Sequence, residues 1–203
     1  MNCVLIGVII GTVLSLPGGS GAAATLQNSR KFGYIKSMTM SIGVSIGFFA
    51  IGIISTLINA IAADWILKLG KIVPYTLGAM IIANGILGFI GWENELETDN
   101  SSKSGMVNFM TGIMFALSRS YVILITFFEL YLGIRYLEIY EIFLVAGGVA
   151  IAALVIWIII PAAIGVADKI SEIKTLSAYK LFTGIIIILF GLYIIIESAG
   201  LIK

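Results

Sequence analysis

Residues Gly11 to Thr25 read GTVLSLPGGSGAAAT, and how this stretch is understood decides the fold. It sits inside an apolar segment from Cys3 to Leu26 that is long enough to cross a bilayer, yet its middle, Ser15 to Gly21, is serine, glycine and proline around a single leucine. That is a poor continuous helix. In lipid every backbone N–H and C=O needs a partner, so an interruption is tolerated only where protein or a wet cavity surrounds it. The break therefore marks a candidate site, with Ser15, Pro17, Gly18, Gly19 and Ser20 as candidate substrate-binding residues.

Working outward, the 203 residues are 60% hydrophobic and 11% charged, a balance found in polytopic membrane proteins and not in soluble domains. Six apolar stretches follow in order, roughly residues 2–27, 34–62, 72–92, 106–133, 142–167 and 178–199. They predict an all-α integral membrane protein of six transmembrane helices forming one domain over residues 1–203. A net charge of +1 gives no reason to expect nucleic acid. With Cys3 as the single cysteine and no histidine, disulfide frameworks, Cys/His metal sites, dithiol carriers and histidine acid/base catalysis are excluded within one chain. Neither an enzyme, a metal centre nor a cofactor is expected. Ala22 to Ala24 could pass for a cleavage site, but the preceding run lacks a cationic start, so this segment reads as a retained first helix.

Lys and Arg in the connecting loops give the orientation. Arg30, Lys31, Lys36, Lys103, Lys169, Lys174 and Lys180 lie on one side, and Lys68, Lys71, Arg135 and Lys203 on the other. The richer side is cytoplasmic, so both termini are expected outside a plasma membrane crossed several times. The Asn100-Ser101-Ser102 sequon would then face the cytoplasm and carries no weight.

Glycines at 33, 43, 47 and 52 in the second stretch, and at 78, 85, 88 and 91 in the third, read as close helix packing; such faces would also permit a homodimer. Asn84 sits in an apolar middle, where it serves as an interhelical hydrogen-bond partner or touches substrate. Residues 93–105 form a polar cytoplasmic connection, separating a first half at 1–92 from a second at 106–203. Three helices per half force opposite orientations, the condition for a 3+3 inverted repeat with its site near the midplane.

The fourth stretch, MVNFMTGIMFALSRSYVILITFFELYLG, has a polar interruption at Leu117 to Ser120, in the place that the Ser15–Gly21 break holds in the first half. An arginine deep in a span costs at least about 2.5 kcal/mol, so Arg119, flanked by Ser118 and Ser120, should face a cavity or a partner, or else snorkel to the cytoplasmic surface if the helix starts later. Glu129, ten residues on, lies about 15 Å further along a straight helix and is expected near the outer interface. Pro161 should bend or end the fifth helix. Helix N-termini released by the first break, beside the Arg119 guanidinium, would suit a carboxylate.

The arrangement resembles the LysE-type exporters, the family of lysine exporters and threonine or homoserine efflux proteins. Ser15-Leu16-Pro17-Gly18-Gly19 is similar to that family's S-P-G-P interruption, and Gly33, Gly43 and Gly47 to its spaced glycines. Gly78, Ala79, Gly85 and Gly91-Trp92 resemble its third helix, and Gly112 to Tyr121 stands in the place of its G-F-L-L-N-L-x-N-P-K motif. Two positions depart: the family's helix-2 aspartate falls at Phe48, and its Asn-Pro becomes Arg119-Ser120. The resemblance implies export of amino acids or similar small zwitterionic or anionic metabolites coupled to a proton gradient. With the aspartate missing, Glu129, Glu141 and Glu197 are the candidates for ion coupling. The alternatives are a divalent metal cation exporter of the same wider superfamily, disfavoured because no acidic residue is expected in the core, and a non-transporting membrane subunit or assembly factor.

Overall fold

The computed structural model describes residues 2–15, 25, 29, 32–97, 104–118, 121–134, 137–167 and 174–200. Among them the chain forms seven helices: α1 (Cys3–Ser15), α2 (Tyr34–Leu67), α3 (Ile72–Glu97), α4 (Gly105–Ser118), α5 (Tyr121–Tyr131), α6 (Ile139–Ala167) and α7 (Lys174–Ser198). Three of these contain stretches long and apolar enough to cross a membrane, Ser37–Ile66, Ile139–Ile159 and Leu181–Ser198. A fourth span arises if Gly105–Leu117 and Tyr121–Tyr131, bent by 55°, are taken together. The apolar helices Cys3–Ser15 and Ile72–Ile86 are shorter. The protein is therefore an all-helical membrane protein, with fewer full spans among the described residues than the six expected.

The distribution of polarity on α2 says the same thing. Its buried face carries Ser37, Ser41, Ser45, Ser55, Thr56 and Asn59, while Ile35, Ile61 and Trp65 are exposed. Such an arrangement would be costly in water but is natural where the surroundings are hydrocarbon and hydroxyls find partners only inside the bundle. The hydroxyls do find them: Ser41 Oγ donates to the Trp157 carbonyl at 2.7 Å, Ser45 Oγ to that of Ala150 at 2.8 Å and Ser55 Oγ to that of Val122 at 3.1 Å.

The helix ends follow local chemistry. Gly133 adopts φ 77°, and the Ile134 N–H bonds back to the Glu129 carbonyl at 2.9 Å while that of Gly133 bonds to Leu130, which closes α5 in a Schellman turn. A Glu141 carboxylate oxygen accepts the Glu138 N–H at 2.9 Å, half of a capping box at the start of α6. One boundary differs from that expected. Helix α3 runs on to Glu97 through the first part of the polar connection, where Glu and Leu are good helix formers. Helix α6 continues past Pro161 to Ala167, the end expected of the fifth stretch; spans tolerate proline where neighbouring groups satisfy the freed backbone.

Helix α1 lies along α6, α2 along both α4 and α6, and α3 along α7, while α5 touches α2 and α3. Glycine sets these approaches, as expected from its spacing. A methyl added at Gly78 would lie 2.7 Å from the Gly191 carbonyl oxygen, and one added at Gly191 would lie 2.7 Å from that of Gly78. Between α1 and α6, Gly7 faces Gly148 and Gly11 faces Ala152. Between α4 and α2, Gly112 faces Gly43 and Ala116 faces Gly47. The second pair of contacts is the first with each residue replaced by the one 105 positions before or after it, as 112 follows 7 and 148 follows 43. The same shift exchanges the Gly52–Ala146 contact with the Ser41–Trp157 hydrogen bond and maps Ser45–Ala150 onto itself.

Candidate functional site

Glu129 is 0% exposed, a carboxyl group wholly inside the protein, which overturns its expected interfacial position. The cause is the company α5 keeps. Its last turn packs against the far half of α2, where Thr56 and Asn59, one turn apart, present their side chains to the same place. Thr56 Oγ1 lies 2.6 Å from Glu129 Oε1, and Asn59 Nδ2 lies 3.1 Å from Oε2. The second Asn59 N–H points to the Ile134 carbonyl at 3.4 Å, which the Gly133 turn delivers. Asn59 Oδ1 is buried without a partner. Exchanging the amide oxygen and nitrogen would set an acceptor against two acceptors, so the network fixes the amide as described.

The arrangement closes in either protonation state. As a carboxylate, Glu129 accepts from Thr56 through Oε1 and from Asn59 through Oε2. As a carboxylic acid it donates through Oε1 to Thr56 Oγ1, whose own proton goes to the Gly52 carbonyl 2.8 Å away. A group whose surroundings satisfy it both ways can take up and release a proton without repacking.

The other two carboxylates proposed for ion coupling have different settings. Glu141 caps α6 and accepts from the Cys3 thiol at 3.7 Å. Glu197 is exposed and accepts from the Tyr131 hydroxyl, tying α7 to α5. Neither shares the Glu129 cluster.

Of the candidate substrate-binding residues, Ser15 ends α1 and is 1% exposed, with an Oγ that has no partner. Ser118 is the last residue of α4. Pro17, Gly18, Gly19, Ser20, Arg119 and Ser120 lie outside the described residues. Asn84 bonds the Met80 carbonyl of its own helix at 3.3 Å, so its hydrogen bond is not the interhelical one expected. Phe48, at the family's aspartate position, is buried against the Tyr121 ring with centroids 5.0 Å apart. Sequence reading missed Thr56 and Asn59. Their signal was present: two polar residues three apart in an apolar run share one helix face. It also missed Trp157, which is 4% exposed with an unpartnered indole N–H.

The premise that no acidic residue lies in the core is thus corrected by Glu129. Among the described residues, however, no three His, Cys, Asp or Glu side chains come together as a metal-ligand set. No protein-family model, curated protein or solved structure matches the chain.

Proposed function

We propose that this chain is a secondary transporter exporting amino acids or similar small zwitterionic or anionic metabolites, driven by an ion gradient, with Glu129 exchanging a proton as the coupling ion. The observation that carries the reading is a carboxyl group buried between α2 and α5 in a membrane protein, held by Thr56 and Asn59. Ionisable side chains in such places are expensive and are kept for ion pathways and proton relays. The constant shift of 105 between α1/α6 and α4/α2 contacts supports the six-span, 3+3 inverted-repeat architecture, in which the two halves rock about a shared site. The 55° bend between α4 and α5 is what an interrupted first helix of the second half would produce. The cargo class rests on the resemblance of the Ser15–Gly19 and Gly112–Tyr121 motifs.

The test is reconstitution of the whole chain in proteoliposomes with amino acids, organic anions and divalent metals, each with and without a pH gradient. Gradient-driven movement of amino acids, lost in Glu129→Gln, is the expected result. Movement of divalent metals alone would replace the cargo, and no movement of any solute would favour a non-transporting subunit.

A further inference from the structure

The Glu129 cluster holds more buried acceptors than donors. Its oxygens are the two of the carboxyl group, Thr56 Oγ1, Asn59 Oδ1 and the Ile134 carbonyl, with the Gly52 carbonyl behind Thr56. The donors facing them are the Thr56 hydroxyl and the Asn59 amide. Asn59 is 2% exposed, and its Oδ1 accepts from nothing. The bond from Asn59 to the Ile134 carbonyl is long at 3.4 Å, so that oxygen is weakly held as well. Buried oxygens in this condition are destabilising until a donor or a cation reaches them.

Charge points the same way. Glu129 is fully buried, and among the described residues its polar neighbours are Thr56 and Asn59, with no Lys or Arg paired to it. A buried carboxylate persists only where its charge is balanced. Glu129 also lies in the last turn of α5, whose C-terminal dipole end favours positive charge, and the Gly133 turn carries the Ile134 carbonyl to the same place. One carboxylate balances one positive charge. A divalent ion would leave the core with a net charge, and among the described residues no set of three acidic, His or Cys side chains waits to offset it. A singly charged hard ion takes mostly neutral oxygens, which Thr56, Asn59 and Ile134 offer. The close spacing of these polar atoms, 2.6 to 3.4 Å, selects a small one.

The Asn59 amide is the part that moves. Half a turn about its Cβ–Cγ bond exchanges Oδ1 with Nδ2 and sets Oδ1 beside Glu129 Oε2 and the Ile134 carbonyl. Three acceptors repel one another when nothing lies between them and form an oxygen set when a cation does. The displaced N–H is then the group without a partner, a smaller cost than an unbalanced buried carboxylate.

Resting on the reading above of Glu129 as the ion-exchanging carboxyl, we infer that Glu129, Asn59, Thr56 and the Ile134 carbonyl form a site for one dehydrated Na+ ion, which takes the place of the Glu129 proton.

The test follows thermal unfolding of the whole chain, purified in detergent at alkaline pH, in NaCl, KCl or choline chloride at equal ionic strength. Na+ should raise the unfolding temperature saturably, by about 5–10 °C at about a hundred-fold excess over its dissociation constant, and choline should not. Glu129→Gln and Thr56→Val should abolish the shift, whereas Thr56→Ser, which keeps the hydroxyl, should retain it. A shift equally large with K+ or choline, or a Na+ shift that survives in Glu129→Gln, would overturn the site. Solute movement driven by a pH gradient and lost in Glu129→Gln, in a chain that Na+ does not stabilise, would remove the Na+ site and leave the transporter reading. Stabilisation by Na+ that is lost in Glu129→Gln, in a chain that moves no solute, would do the reverse.

Discussion

Replacing Glu129 with glutamine separates the proton from the packing. Glutamine has the same shape, and its amide can be placed without loss: the oxygen accepts from Asn59, and the nitrogen donates to Thr56, whose hydroxyl turns to the Gly52 carbonyl 2.8 Å away. The existing bonds are remade, with one amide N–H left over, so the loss should stay near about 1 kcal/mol. Glu129→Ala is different. It removes the 3.1 Å acceptor of Asn59, which already carries an unpartnered Oδ1, and opens a cavity at a fully buried position. An orphaned buried donor costs about 1–3 kcal/mol, and the cavity adds a similar amount, giving a loss of about 2–6 kcal/mol. Thermal unfolding of the purified chain in detergent should rank wild type and Glu129→Gln together, well above Glu129→Ala. In proteoliposomes, Glu129→Gln should retain solute exchange down its own gradient while losing accumulation driven by a pH gradient. Gradient-driven accumulation at the wild-type rate would refute the coupling role. An alanine variant as stable as the glutamine variant would refute the packing account.

Gly78→Ala or Gly191→Ala each sets a methyl 2.7 Å from the other helix's carbonyl, so α3 and α7 must separate; each should cost about 1–3 kcal/mol, and the double variant less than the sum, read by thermal unfolding. Gly7→Ala and Gly112→Ala occupy equivalent places under the 105-residue shift and should destabilise to a similar degree; an effect in one alone would argue against equivalent halves. Arg119→Ala should abolish transport with insertion intact, and unchanged transport would remove Arg119 from the site. Pro17→Ala combined with Gly18→Ala should heal the break after α1 and lower activity, whereas full activity would make the interruption structural only.

The spans were legible because lipid imposes length and apolarity on a helix regardless of its partners; the second, fifth and sixth stretches correspond to α2, α6 and α7. Close packing at Gly43, Gly47 and Gly78 was legible for the same reason, since small residues are what let helices approach. The 105-residue correspondence was present in the sequence as Gly7 and Gly112 with Gly43 and Gly148, but so few shared residues become evidence only when the pairs are seen to touch. The burial of Glu129 was not legible. It depends on the bend that sends α5 off the line of α4, and on which face of α2 meets it, both of which are tertiary facts. Trp157 was hidden in another way: its ring suits an apolar helix, and only its surroundings reveal that the N–H has no acceptor.

The separation between the two buried polar sites limits how one could drive the other. Ser41, which holds the Trp157 carbonyl, and Asn59, which holds Glu129, both lie on α2, about 27 Å apart at 1.5 Å per residue. At that distance a charge appearing on Glu129 is worth only about 0.6 kcal/mol to a charged ligand at an effective dielectric of about 20. Useful coupling between sites needs about 1–3 kcal/mol, so direct electrostatics falls short. A mechanical route is at hand, because α2 is one continuous helix of 34 residues that touches α4, α5 and α6. Protonating Glu129 turns the Thr56 hydroxyl from the carboxylate to the Gly52 carbonyl within α2 and makes Glu129 the donor to Thr56, so the tie between α2 and α5 is kept with its direction reversed. Any coupling between the two ends of α2 would therefore run through the helix itself, whose closest contacts with α4 are made at glycine.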